Sequence, residues 1–402
     1  MIEQIINGIN YRLDEDNLTA EVIKMKNGYD GDIIIPETVV FNEASYLVTS
    51  IGKMAFFCCK SLKSITIPDG VTSIGNEAFG HCSSLTSIVI PESVTSIGES
   101  AFDDCSSLTA IKVAEGNTVF DSREECNALI HTATNSLIRG CQNTIITNSV
   151  TSIQSDAFYG CSSLTSITIP NSVTNIGDGV FSGCSSLTSI VVAEGNTVYD
   201  SREKCNAIID TATNTLIYGC QSTIIPDSVT SIGDEAFDRC ESLAAITIPN
   251  SIQSIGDCAF EDCTSLKSIT IPDSVTSIGE HAFEYCKSLE SIAIGNSVKS
   301  IDYNTFFRCS LLTDVTIGNS VTSIGDCAFE DCTSLKSITI PNSIESIGKE
   351  AFYCCKSLQA IRYGGTIAQW KKINLANDTF KGWNRRSAIN VVHCTDGNMW
   401  VH

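Results

Sequence analysis

The sequence predicts an α/β solenoid: a right-handed coil of 23-residue turns, each with two short strands and one short corner helix. Three observations predict it. Eleven phenylalanines, Phe56, Phe79, Phe102, Phe158, Phe181, Phe237, Phe260, Phe283, Phe306, Phe329 and Phe352, recur at a spacing of 23 residues, except for two gaps of 56. Each has Ile five residues before it, Cys three after it and Leu six after it. Most copies also carry an I-x-I run, and the rest a variant of it, with the period-two alternation of a strand, which no single copy could bury alone.

Residues 1–50 are expected to form an N-terminal β cap. Ile9 to Leu13 and Thr19 to Met25 alternate apolar and polar residues around an Asp14-Glu15-Asp16-Asn17 turn. Such a cap covers the core that an open first turn would expose. The repeats fill 51–360. In one of them Leu266, Ile269 and Ile271 should face inward and Ser268 and Thr270 outward. Pro272-Asp273-Ser274 turns the chain, and Val275 to Ile278 forms a second strand on the opposite wall. Gly follows that strand in nine of eleven copies, which suggests a tight bend, and D/E-x-A-F-x-x-C then suggests one helical turn at a corner.

Two islands interrupt the period, at 114–147 and 193–226, and they differ from each other at eight of 34 positions. In the second, Asn206 to Asp210 and Thr215 to Tyr218 read as a hairpin. The islands serve either as spacers or as projecting contact surfaces. Residues 361–402 should form a C-terminal cap, with a short helix at Thr366 to Ile373, apolar anchors Phe380 and Trp383, and a closing strand at Ala388 to His393. Trp370, Trp383 and Trp400 all lie here and are read as parts of the cap.

Composition narrows the function. A net charge of −21 disfavours nucleic acid and anionic membrane surfaces, which need clustered Lys and Arg. No apolar run approaches the roughly 20 residues that cross a bilayer. Met1 to Arg12 carries no basic, apolar or small-residue signal pattern. Eleven of twenty cysteines (Cys59, Cys82, Cys105, Cys161, Cys184, Cys240, Cys263, Cys286, Cys309, Cys332 and Cys355) share one repeat position. They are expected to be a buried, reduced structural ladder. Cys126/Cys141 and Cys205/Cys220 are the best disulfide candidates, and nothing has the spacing of a zinc site.

No catalytic constellation stands out, so the chain is read as a non-enzyme with no cofactor and no metal site. Rows of acids at Asp234, Asp257 and Glu280, and at Asp238, Glu261 and Glu284, read as solvated charge on a corner. The outward face of the main sheet is the candidate binding surface, represented by Ser268, Thr270, Ser291, Asp314, Thr316, Ser337 and Thr339. It is small and polar, so binding through it would be shallow and multivalent.

The run I-P-x-S-V-T-S-I-G-x-x-A-F-x-x-C-x-S-L-x-S-I, the islands, Gly364 to Trp370 and His393 to Gly397 resemble the BspA-like leucine-rich repeat proteins along about the whole chain. The resemblance implies a leucine-rich-repeat, horseshoe-like solenoid and a concave sheet that binds protein or glycoprotein. It also implies a cell-surface or secreted location, with adhesion to host matrix proteins such as fibronectin and fibrinogen, and cell–cell aggregation. A structural spacer and an intracellular interaction scaffold are the alternatives.

Overall fold

The computed structural model describes residues 1–376, 379 and 391–400. Phe380, Trp383 and Ala388 therefore lie outside the described residues. The chain divides into two compact units, Met1–Leu187 with Val192–Asn196, and Thr188–Val191 with Thr197–His402.

In the first unit the N-terminal strands Ile2–Ile6, Ile9–Asp14 and Thr19–Val22 form an antiparallel meander. Thr19–Val22 then pairs in parallel with Ala44–Ile51. The meander thereby continues into the two-residue strands Ser73–Ile74 and Ser96–Ile97 of the second wall. On the first wall Gly31–Ile34 pairs with Leu62–Thr66, and Ser87–Ile90 with Ala110–Val113, all parallel.

In the second unit Ser268–Ile271, Ser291–Ile294, Asp314–Thr316, Ser337–Ile340, Ala360–Tyr363, Val391–Cys394 and Gly397–Trp400 form one seven-stranded sheet. Its strands run parallel except the last. Ser268 pairs with Ser291, so neighbouring strands are one sequence period apart. Ser254–Ile255 and Ser277–Ile278, and Ser300–Ile301, Ser323–Ile324 and Ser346–Ile347, are parallel pairs on the second wall.

The corners are not helical. Among the described residues the only α-helix is Ile367–Trp370, and two short 3-10 turns lie in the islands. At the Phe79 corner, Ala78, Gly80 and Cys82 donate their N–H groups back three residues, as in successive tight turns. Glu77, Phe79 and His81 instead donate to Glu99, Ala101 and Asp103 of the following turn. Alternate amides are thus committed between turns, which leaves too few for an i→i−4 helix. The geometry needs two left-handed residues per corner, such as Glu77 (φ 55) and His81 (φ 60), and Gly179 and Gly183 fill both places in one copy. The glycine after the second strand serves a different need from a bend. At Gly98 an added Cβ would collide with the backbone of Asn76 in the neighbouring turn.

Each core repeats the same contacts. From Phe237 to Phe352 six rings stack at centroid spacings of 5.0–5.5 Å. Offset stacking of this kind adds about 0.5–1.5 kcal/mol per pair beyond area burial. All eleven ladder cysteines are buried free thiols. Cys286 Sγ donates to the carbonyl of Phe260 at 3.1 Å, and Cys309 to that of Phe283 at 3.2 Å. A thiol fits here because it is a small hydrophobe that can still donate to a buried carbonyl.

The island hairpins do not project. Thr215–Tyr218 pairs in parallel with Ser231–Ile232, and Ser136–Arg139 with Ser152–Ile153, so both hairpins extend the second wall. All four island cysteines are free and buried. Cys141 Sγ donates to Asn127 O at 3.2 Å and Cys220 Sγ to Asn206 O at 3.4 Å, so neither candidate pair is a disulfide.

Candidate functional site

The seven predicted binding residues fall on one face of the seven-stranded sheet. Strand alternation buries Ile269, Ile271, Ile292, Ile294, Val315 and Ile338 and leaves the residues between them outside. One row runs Ser268, Ser291, Asp314. The other runs Thr270, Ala293, Thr316, Thr339, Arg362, His393. Ser268, Thr270, Asp314, Thr316 and Thr339 are exposed, whereas Ser291 and Ser337 are half-buried. Among the described residues these hydroxyls have no side-chain hydrogen-bond partner.

The far end of this face has a different chemistry. Ser337 pairs with Ala360, Ala360 with Val391, and Val391 with Trp400 across the one antiparallel pairing of the sheet. That register puts Trp400, 65% exposed, at the end of the row of Ser337, Ala360 and Val391, on the same face as exposed Arg362 and His393 of the neighbouring row. Trp370 is buried and edge-on to Tyr363. Trp400 does not. The local sequence could not assign its face, because that depends on the register of a returning strand. Trp and Arg are the side chains that most often anchor protein interfaces.

A pocket of about 790 Å³ lies in the first unit, lined by Glu99, Asp103, Phe120, His131, Arg139 and Asp156 among others. Arg139 is 4% exposed. Its guanidinium donates to Asp103 Oδ1 at 2.8 Å and to the carbonyls of Asp156 and Tyr159 at 2.9 and 2.7 Å. Burial pushes the Asp156 carboxyl up, and Asp103 adds to this while Arg139 opposes it. Arg139 was not among the sequence candidates. The available signal was its replacement by Tyr218 in the other island.

The acid rows are not simply solvated. Asp234 Oδ1 accepts the backbone N–H of Asp257, and Asp257 Oδ1 accepts that of Glu280, both at 2.8 Å. Asp234 and Asp257 each cap the next turn, and these charge-assisted hydrogen bonds offset part of the repulsion that stacking brings. In the other row Glu284 is buried.

A sequence profile described as a BspA type leucine rich repeat region (6 copies) matches residues 37–136, 138–208, 214–317 and 305–384. A leucine rich cell surface protein from Faecalibacterium prausnitzii A2-165 is 29% identical, with a TM-score of 0.53 over 93% of this chain and 98% of that one. A leucine-rich repeat protein from Eubacterium ventriosum ATCC 27560 shares the fold at 23% identity, with a TM-score of 0.56 over 97% and 92%. No curated protein matches. No helix among the described residues is long and apolar enough to cross a membrane.

Proposed function

The chain belongs to the BspA-type leucine-rich repeat family, and we propose that it is a non-enzymatic protein-binding protein of a cell surface, working through the outward face of the seven-stranded sheet. The observation that carries the reading is the in-register polar face ending in Arg362 and Trp400. Rows of Ser, Thr and Asp supply many weak, similar contacts, and the Trp/Arg end supplies the anchor that a shallow face lacks. The likeness to a cell surface protein at 29% identity supports the location. The partner class is a protein or glycoprotein, with host matrix proteins first in line.

The test is binding of the purified chain to immobilised fibronectin, fibrinogen and an unrelated acidic glycoprotein, over a salt series. Saturable binding to one matrix protein, weakened at least tenfold in Trp400→Ala, is expected. Equal binding to all three, or binding indifferent to Trp400, would remove this reading.

One observation favours a second reading, an interaction scaffold in a reducing compartment: all twenty cysteines are free. Mass analysis after alkylating the protein as purified from its native cells separates the two. Surface-exposed Cys58 found oxidised or capped would speak against the reducing compartment.

A further inference from the structure

The second wall of the first unit has a break. Ala44–Ile51, Ser73–Ile74 and Ser96–Ile97 follow one another in parallel, and the next sheet starts afresh at the Phe120–Asp121 strand of the island. On either side of the break, main-chain bonds join each turn to the next. Thr95 N–H donates to Thr72 O and Gly98 N–H to Ile74 O, and past the island Thr174 donates to Thr151 and Gly177 to Ile153. Thr95 O and Ile97 O stand next in the first two rows, and among the described residues no N–H donates to either. The corner beside them is in the same condition. Glu77 and Phe79 donate to Glu99 O and Ala101 O. The amides of Ser100 and Phe102, in their places one turn on, have no acceptor among the described residues.

This edge keeps the shape of a paired one. Ser100 (φ 54) holds the left-handed backbone of Glu77 (φ 55). Ile97 is half-buried where Ile51, Ile74 and Ile153, in the same place of other turns, are buried. Residues 95–103 also form one continuous part of the lining of the pocket beside Arg139. Open main-chain donors and acceptors along a pocket are what a sheet edge offers to an added strand.

The side chains restrict what can be added. Ile97, Val119 and Ile138 line the pocket and are only partly covered by the core. Arg139 commits its guanidinium to Asp103 and to two carbonyls. Glu99 and Asp156 line the same pocket and form no ion pair among the described residues. The lining therefore carries more carboxylate than the one buried guanidinium answers.

We propose that this pocket binds an extended peptide of a partner protein by strand addition along Ser96–Ile97, with an aliphatic side chain on Ile97, Val119 and Ile138 and a Lys or Arg side chain at Glu99 and Asp156. The surplus carboxylates disfavour an anionic ligand. They also disfavour a second copy of this chain, whose net charge is −21. The site is separate from the sheet face of the second unit, and it reads main chain where that face reads a folded surface.

The experiment selects random heptapeptides displayed on phage against the full chain, then measures the enriched sequences as blocked, fluorescent peptides. Enrichment of aliphatic residues with Lys or Arg, and loss of Pro, is expected. N-methylating alternate peptide amides and Glu99→Lys should each weaken binding at least tenfold, and Trp400→Ala should leave it unchanged. No enriched sequence, acidic sequences, or binding indifferent to N-methylation overturns the proposal. Should Glu99→Lys fail to fold, hydrogen exchange of the unaltered chain decides. Slowed exchange at Ser100 and Phe102 on adding peptide supports the site, and unchanged exchange there overturns it. Protection that grows with protein concentration in the absence of peptide would give the edge to a second copy and overturn it as well.

Discussion

The two islands are the same device built twice with one substitution that matters. In the first, Arg123 Nε donates to Asp121 at 2.8 Å and Nη1 to Asn135 at 2.9 Å. In the second, Arg202 donates to Asp200 at 2.8 Å and to Asn214 at 3.0 Å. Thr144 Oγ1 donates to Asn127 O at 2.7 Å, and Thr223 does the same to Asn206 at 2.7 Å. Both hairpins carry the same register shift, between Leu129 and Ile130 and between Ile208 and Ile209. The difference is Arg139 against Tyr218. Asp103, one residue after Phe102, answers Arg139, and the residue one after Phe181 is Ser182. A fixed backbone therefore hosts either a buried ion pair or none, provided that the two positions change together.

The largest expected effect follows from that pairing. Arg139→Tyr alone strands Asp103 beside a neutral group and should cost about 3–5 kcal/mol, read from urea unfolding. Adding Asp103→Ser should restore most of the loss. A double variant as unstable as the sum of the singles would break the equivalence of the islands.

Glycine tests a shared feature. Gly140 N–H donates to Ala157 O as Phe79 N–H does to Ala101 O, so glycine takes the place of a stacked ring. A Cβ on Gly140 would run into the ring of Phe158, and one on Gly219 into that of Phe237. Gly140→Ala and Gly219→Ala should each cost about 1–3 kcal/mol in thermal or urea melts. A neutral outcome in one would show that its ring can move aside.

Next comes Thr144→Val against Thr223→Val. Each removes a hydroxyl that accepts from a buried cysteine N–H at 2.8 Å and donates to a carbonyl. Each should lose about 1–3 kcal/mol, and by similar amounts.

A pH series compares the islands without any substitution. Burial pushes the Cys126 and Cys205 thiols up to about 11 in both islands. Burial likewise pushes Cys105 of the ladder up to about 12. A thiol whose pKa is raised by folding contributes stability in full below its unfolded pKa, near 9. That contribution is lost as pH rises toward the folded value, because the unfolded chain gives up its protons first. Stability should therefore be flat from pH 7 to 8.5 and fall from about 9 to 12, with the two islands falling alike. Alkaline unfolding followed by fluorescence checks this, and a flat profile to pH 12 would contradict the buried ladder.

Much of the fold was legible because a repeat announces its own contacts. A residue recurring at one period must meet its own copies, so the Phe stack and the Cys ladder could be read from spacing alone. The strand alternation at Ser268 to Ile271 likewise fixed which side chains face out. The corner misled because A-F-x-x-C has helical composition, while its amides are claimed by the next turn, a demand no single copy displays. The acid rows misled for the same reason, since Asp257 serves the N–H of Glu280.

The sequence by itself determined the period, the inward set and the polar strip on the sheet. Those follow from local alternation and from self-similarity. Only the tertiary structure decided that Trp400 joins that strip and that Arg139 is buried against Asp103. It also decided that the edge of Ser96–Ile97 stays open. These depend on strand register and on contacts between neighbouring turns, which place residues 20 or more positions apart within hydrogen-bonding distance.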